Sequence, residues 1–102
     1  MASLEQVTER VRASVGVESG LDARIRFKFG DGEFLFIDGK SVPNRVDNSD
    51  AESDIVITVS RENFEKIVDK QLKPQVALMT GRLRLRGDIR IAMRLDKVFG
   101  ID

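Results

Sequence analysis

The sequence has no cysteine, histidine, tryptophan or tyrosine, and only two prolines among its 102 residues. Without cysteine there is neither a disulfide nor a reactive thiol, and without cysteine and histidine the usual zinc ligands are missing. The absence of histidine also removes the commonest general acid and base and every Ser–His or Cys–His nucleophilic pair. We therefore expect a protein that is not an enzyme and that needs no cofactor and no metal.

Addressing and membrane signals are also missing. No apolar run approaches the about 18 residues of a transmembrane helix. The N-terminal residues 1–14 are amphipathic and include acids, unlike a secretory signal or a typical transit peptide. The last residues are not a peroxisomal Ser-Lys-Leu address. The length fits a single domain over residues 1–102, which we expect to be cytoplasmic.

One acidic cluster is the only candidate for carboxylate chemistry. It consists of Asp47, Asp50, Glu52 and Asp54. A carboxylate enzyme or metal site would use such residues. The surrounding letters, VDNSDAESD, are typical of a loop, so we interpret the cluster as a solvated acidic turn.

The hydrophobic periodicity predicts a helix, four strands, two helices, a fifth strand and a final helix. Ser3, with a glutamine three residues later, begins the first helix as a capping box, and Gly16 ends it. Residues 23–29 and 82–86 alternate apolar and basic side chains as half-buried strands. Pro43 places the third strand at a sheet edge. The fold class is therefore α+β, with a five-stranded, mostly antiparallel sheet and helices covering one face.

Residues 74–99 carry more apolar surface than simple packing requires. In the final helix, at about 100° per residue, Arg90, Arg94 and Lys97 share one narrow sector and apolar residues fill most of the rest. A helix lying on a sheet needs an apolar arc of roughly 100°. The surplus must contact other protein, a ligand or a membrane. From the residues alone, mutual packing of the helices and a ligand pocket both remain open.

The same stretch follows the pattern P-Q-x-A-h-x-x-G-[KR]-L-x-h-x-G-[DN]-x-x-x-A-M-[KR]-L, in which h is apolar. The matching positions are Pro74, Gln75, Ala77, Gly81, Arg82, Leu83, Gly87, Asp88, Ala92, Met93, Arg94 and Leu95. The chain thereby resembles the sterol carrier protein type 2 lipid-binding domain. The resemblance implies an apolar tunnel between sheet and helices that holds a fatty acyl, phospholipid, isoprenoid or sterol-like molecule.

We expect that tunnel to be lined by apolar side chains of the sheet and of the last two helices. The candidates are Phe34, Phe36, Ile57, Val76, Met79, Ile91, Leu95 and Phe99. The resemblance adds Thr80, because relatives place a polar side chain facing the tunnel at that position. The alternative, a Thr80 hydroxyl bonded back to its own helix, remains equally open. The sequence also lacks the C-terminal lid segment of longer relatives, so we expect a tunnel open at one end.

The two alternating strands predict a basic sheet face. Its members are Arg24, Arg26, Lys28, Arg82, Arg84 and Arg86. Such a face suits docking on an anionic membrane or on an acidic partner, and the alternative is a solvated surface whose arginine stems cover apolar area. A net charge of +0 and the lack of an exposed aromatic pattern argue against nucleic acid.

Together these features predict a non-catalytic lipid-binding or lipid-transfer module whose partner is a hydrophobic small molecule. The rival function is an accessory or scaffold protein of lipid or quinone biosynthesis that binds a protein partner through its apolar helices. The sequence carries no signal for an oligomeric state.

Overall fold

The computed structural model describes residues 3–16, 20–30, 32–91 and 93–94. The elements, in chain order, are α1 (Leu4–Val15), β1 (Arg24–Gly30), β2 (Glu33–Asp38), β3 (Arg45–Asp47), β4 (Ile55–Val59), α2 (Arg61–Val68), α3 (Pro74–Met79) and β5 (Leu83–Gly87). Residues 89–91 and 93–94 are helical and form the described part of a terminal helix. Among all the residues described, no helix has the length and hydropathy needed to span a bilayer.

The strands form one five-stranded sheet in the order β3-β2-β1-β4-β5. β1 and β4 are parallel, and the other three neighbouring pairs are antiparallel. The mostly antiparallel α+β prediction is therefore confirmed, and β3 lies at an edge as Pro43 indicated. Pro43 itself precedes the strand, which begins at Arg45. The Asp38 carboxylate accepts the amide hydrogens of Lys40 and Ser41, which builds a turn before the strand begins.

Side-chain caps fix where the first two helices begin. The Ser3 hydroxyl accepts the Gln6 amide hydrogen at 3.2 Å, and the Gln6 side chain accepts the Ser3 amide hydrogen at 2.9 Å. The Ser60 hydroxyl accepts the Asn63 amide hydrogen at 3.1 Å and begins α2. These bonds satisfy amide groups that have no partner inside the helix, and the capping box predicted at Ser3 is confirmed.

All helices with buried residues pack on the same face of the sheet. The core joins the apolar stripe of α1 to one face of the strands, including Ile25, Ile37, Ile57 and Leu83. At its centre the Phe64 ring of α2 lies 4.8 Å from the Phe27 ring and 5.0 Å from the Phe29 ring, measured between centroids. The opposite face, termed the open face, carries the alternate strand residues Arg26, Lys28, Val56, Thr58, Arg84 and Arg86.

The connection between β3 and β4 crosses the open face. These two strands run in the same direction, because β3 and β4 are each related to β1 by the pairings of the sheet. Residues 48–54 therefore return across the sheet without a helix. At the start of this segment the side-chain Nδ2 of Asn48 donates to the Phe34 carbonyl oxygen at 2.8 Å, and in the middle of the segment the Asp50 carboxylate pairs with Arg26.

Candidate functional site

An apolar groove lies at the β5 edge, on the helix-covered face, between α3 and the terminal helix. Its volume is about 150 Å³, and its lining is Pro74, Gln75, Leu78, Leu83, Leu85, Ile89 and Met93. The amide of Gln75 is the one polar side chain in this lining. Small-molecule sites usually have volumes of about 300–1,000 Å³, so the groove is smaller than a typical ligand site.

The floor of the groove follows from the alternation of β5. Leu83 and Leu85 point toward the helices because they pair with Val59 and Ile57 of the core face. The Arg82 amide donates to the Ala77 carbonyl oxygen at 2.9 Å, and this bond holds the end of α3 against the start of β5. The α3 wall is therefore fixed to the strand by the backbone as well as by side-chain packing.

The terminal helix supplies the other wall. Ile91 is buried in the core, whereas Ile89 and Met93, one helical turn apart, line the groove and are exposed. The Arg94 guanidinium donates to the Leu21 carbonyl oxygen at 2.9 Å and ties this helix to the segment before β1. One side of the terminal helix is thus anchored while another presents apolar side chains to the groove.

The apolar surplus predicted from the sequence is present at the surface. Six large hydrophobic side chains are exposed among the described residues, and all but Val42 lie in α3 or the terminal helix: Val76, Leu78, Met79, Ile89 and Met93. Clustered exposed apolar groups of this kind mark a surface that contacts a ligand, a membrane or another protein.

The expectation that Phe34 and Phe36 share a cavity with Ile57 is wrong. Phe36 pairs with Arg26, and Ile57 pairs with Phe27, so the two residues lie on opposite faces of the sheet. Phe36 is nevertheless buried, because residues 48–54 cross the open face beside it. The sequence is apolar at every position from 34 to 37, so it has no alternation that would indicate which side chains face the helices.

The other predicted lining residues lie in the core, on the surface or outside the described residues. Ile57 and Ile91 are buried in the core, and Val76 and Met79 are exposed and lie outside the groove lining. Leu95 and Phe99 lie outside the described residues.

The Thr80 hydroxyl donates to two carbonyl oxygens of its own helix. Its oxygen is 2.8 Å from that of Val76 and 3.3 Å from that of Ala77. This is the back-bonded arrangement that was the alternative to a headgroup contact.

A second, larger groove lies on the open face, above β4. It has a volume of about 360 Å³ and is lined by Arg26, Lys28, Val56, Thr58, Arg84, Leu85 and Arg86. Since β4 lies between β1 and β5, the short side chains of Val56 and Thr58 form its floor. The basic side chains of β1 and β5 rise on either side, so four of the six predicted basic residues surround one groove.

Acidic partners neutralise part of the open face and leave the rest of it basic. Arg26 pairs with Asp50, and the Arg24 Nε lies 3.5 Å from Asp38. Burial raises the pKa of Asp38, but amide hydrogen bonds from residues 40 and 41 together with Arg24 outweigh it and leave that pKa lowered. Within the described residues no ion pair involves the four other cations: Lys28, Arg82, Arg84 and Arg86.

The clustered acids of residues 47–54 do not converge on one point. Asp47 accepts hydrogen bonds from Ser49, Asp50 pairs with Arg26, and Asp54 accepts the Arg24 amide hydrogen at 2.9 Å. That amide hydrogen bond lowers the pKa of Asp54. Among the residues that the structure describes, no three His, Cys, Asp or Glu side chains are placed to hold a metal ion.

Comparison with known proteins agrees with the resemblance seen in the sequence. The chain is 34% identical over 70 residues to hydroxysteroid dehydrogenase-like protein 2 of Rattus norvegicus, an alignment that covers 67% of this chain and 13% of that protein. The chain therefore matches only a small part of the length of this relative.

Two solved structures of sterol carrier protein 2 like 2 from Aedes aegypti have the same fold and 28% sequence identity to this chain. The crystal structure gives a TM-score of 0.72 and covers 92% of this chain and 94% of that one. The solution structure of the palmitated form gives 0.60 and covers 94% and 89%. The family model of the SCP-2 sterol transfer family matches residues 4–100. This chain belongs to the SCP-2 sterol transfer family.

Proposed function

We propose that this chain binds a hydrophobic lipid at the apolar groove beside β5 and carries it without chemical change. The observation that supports this most strongly is the clustering of exposed apolar side chains around a groove with an almost wholly apolar lining. Membership of a lipid-binding family supports the same function. The lipid class is a fatty acyl, phospholipid, isoprenoid or sterol-like molecule.

Binding is driven by burial of hydrocarbon. Each methylene that leaves water contributes about 0.8 kcal/mol, so an acyl chain needs few polar contacts to bind. Exposed groove residues such as Leu78, Ile89 and Met93 lose contact with water at the same time. The methionine side chain adapts to irregular ligand shapes.

The groove must widen to hold a long chain, because its volume of about 150 Å³ is small. In our proposal α3 and the terminal helix move apart while the sheet stays fixed. α3 is only six residues long, and within the described residues its side-chain cap is missing. Because the Arg82 amide holds the C-terminal end of α3 to β5, this movement is confined to the uncapped N-terminal end of α3, at Pro74 and Gln75. The lipid then lies between the two helices and above Leu83 and Leu85.

Titration with a fluorescent fatty acid, followed by displacement with palmitate, tests this function. Leu78→Glu places a charge in the groove wall, and we expect it to weaken binding by about tenfold or more, since burial of an unpaired carboxylate is costly. Val42→Glu is the matched control, because Val42 is exposed and precedes β3, at the opposite edge of the sheet from the groove. It should leave the affinity unchanged.

Equal affinities of the two variants would show that the ligand binds elsewhere. If neither variant nor the parent chain binds lipid, and a protein partner accompanies the chain through purification, the accessory function predicted as the rival replaces this proposal. A substrate consumed by the purified chain would contradict the non-catalytic part of it.

A further inference from the structure

The β5 edge is amphiphilic. On one side of the strand, α3 and the terminal helix expose Met79, Ile89 and Met93, with Met79 at 85% and Met93 at 69% of full exposure. On the other side, Arg84 and Arg86 border the open-face groove. Leu85 lies in the lining of both grooves, so the apolar and the basic surfaces meet along this single strand.

The cations of this edge form no ion pair with an acidic side chain in the described part of the chain. Arg82, Arg84 and Arg86 take part in none of its ion pairs, and neither does Lys28 across the groove. The chain as a whole is neutral, so this concentration of positive charge is a local feature. Cations beside exposed apolar side chains are the combination found where proteins lie on anionic bilayers.

A second copy of the chain is a poor occupant of this edge. β5 is the last strand of the sheet, and its free side is open to pairing with another strand. Antiparallel pairing of two β5 strands would place the arginine rows of both copies against each other, and like charges on facing strands are destabilising. An acidic peptide would satisfy the arginines but would leave Met79 and Met93 in water.

We infer that the β5 edge docks on the surface of an anionic membrane. Met79 and Met93 enter the boundary between headgroups and acyl chains, while Arg82, Arg84, Arg86 and Lys28 contact lipid phosphates. This narrows the basic docking face expected from the sequence, since Arg24 and Arg26 are already paired with acids. It also adds an apolar anchor. The inference does not require that the apolar groove binds lipid.

Single-tryptophan reporters test the anchor, because the chain has no tryptophan or tyrosine of its own. Met79→Trp places the reporter at the edge but outside the groove lining, so that uptake of lipid into the groove does not produce the signal. Val42→Trp places it at the remote exposed site. On vesicles of phosphatidylcholine with phosphatidylglycerol we expect a blue shift for Met79→Trp and none for Val42→Trp.

Charge reversals test the electrostatic part. Arg84→Glu and Arg45→Glu change the net charge equally but lie on opposite edge strands, β5 and β3. Arg84→Glu should weaken partitioning to the mixed vesicles by at least about fivefold, as expected for one cation near an anionic surface. The effect should shrink as salt rises, and pure phosphatidylcholine vesicles should bind the parent chain weakly.

The inference is overturned if the two tryptophan reporters respond alike, or if Arg84→Glu and Arg45→Glu weaken partitioning equally. Binding that is as strong on pure phosphatidylcholine would also contradict it. A blue shift at position 79 in a chain that fails to bind palmitate would support docking while refuting lipid carriage, so the two proposals are separable.

Discussion

Gly87 sits at the point where β5 ends and the terminal helix begins, and replacing it with alanine should destabilise the fold strongly. Its φ is +125°, a conformation that side chains with a Cβ rarely adopt. A Cβ atom there would lie 2.6 Å from the carbonyl oxygen of Asp54 and 3.0 Å from the Cα of Ile55. Both atoms belong to the backbone at the start of β4, so neither can yield by a rotamer change.

The expected loss has two parts. A non-glycine residue in a sparsely populated region costs about 1–3 kcal/mol. Overpacking against fixed neighbours adds about 1–3 kcal/mol. Together they are a large share of the about 5–15 kcal/mol that holds a typical domain folded. Gly81→Ala is the matched control, because Gly81 has a φ of +76° but no atom within 4 Å of its added Cβ.

Urea unfolding followed by circular dichroism gives both values. We expect Gly81→Ala to lower the free energy of unfolding by about 1–2 kcal/mol, the cost of the left-handed conformation alone. Gly87→Ala should lose at least about 1 kcal/mol more, with an unchanged m-value. Equal losses for the two variants would refute the close contact between β5 and β4.

Three further predictions concern single side chains. Asp54→Asn should be less stable than the parent at neutral pH, and the difference should fade as the pH falls below about 4, because a carboxylate with a lowered pKa stabilises the fold only while it is ionised. The unfolding midpoint of both proteins, measured as a function of pH, gives this difference, and a difference in stability that persists in acid would contradict the prediction. Phe64→Ala should cost about 3–5 kcal/mol in urea unfolding, since its buried ring contacts two others; a loss below about 1 kcal/mol would show that the ring is not in the core. Thr80→Val should leave palmitate affinity unchanged, because the hydroxyl donates to Val76 and Ala77, and a clear loss of affinity would restore the headgroup contact implied by the resemblance.

Periodicity predicted the fold well where one face of an element is buried. The alternation of residues 82–86 separated Leu83 and Leu85 from the arginines correctly, and the Ser3 capping box and the edge position of β3 were also confirmed. β2 shows no alternation of apolar and polar residues, because the crossing of residues 48–54 buries Phe36 on the face that would otherwise be open. The sequence pattern therefore did not predict which side chains of β2 face the helices. A connection that covers a sheet face depends on strand order, which a local pattern does not contain.

The sequence predicted surplus apolar surface beside the sheet, but none of the predicted lining residues that the structure describes lines the groove. Two short apolar helices indicated surplus surface, yet the lining residues depend on how far each helix is rotated against β5. Leu78, Ile89 and Met93 line the groove, while Met79 is exposed and absent from the lining. The spacing of Ile89 and Met93 by one turn, together with the alternating leucines of β5, is the signal in the sequence from which this lining could have been identified.

The most direct test of lipid binding at the β5 groove is an amide chemical-shift titration of the whole chain with palmitate. The proposed function predicts the largest changes in the amide resonances of residues 75–79, of Leu83 and Leu85, and around Ile89 and Met93. Val56 and Thr58 on the open face should move little. Changes centred on the open face, or no changes at palmitate concentrations that displace the fluorescent fatty acid, would contradict the proposed site.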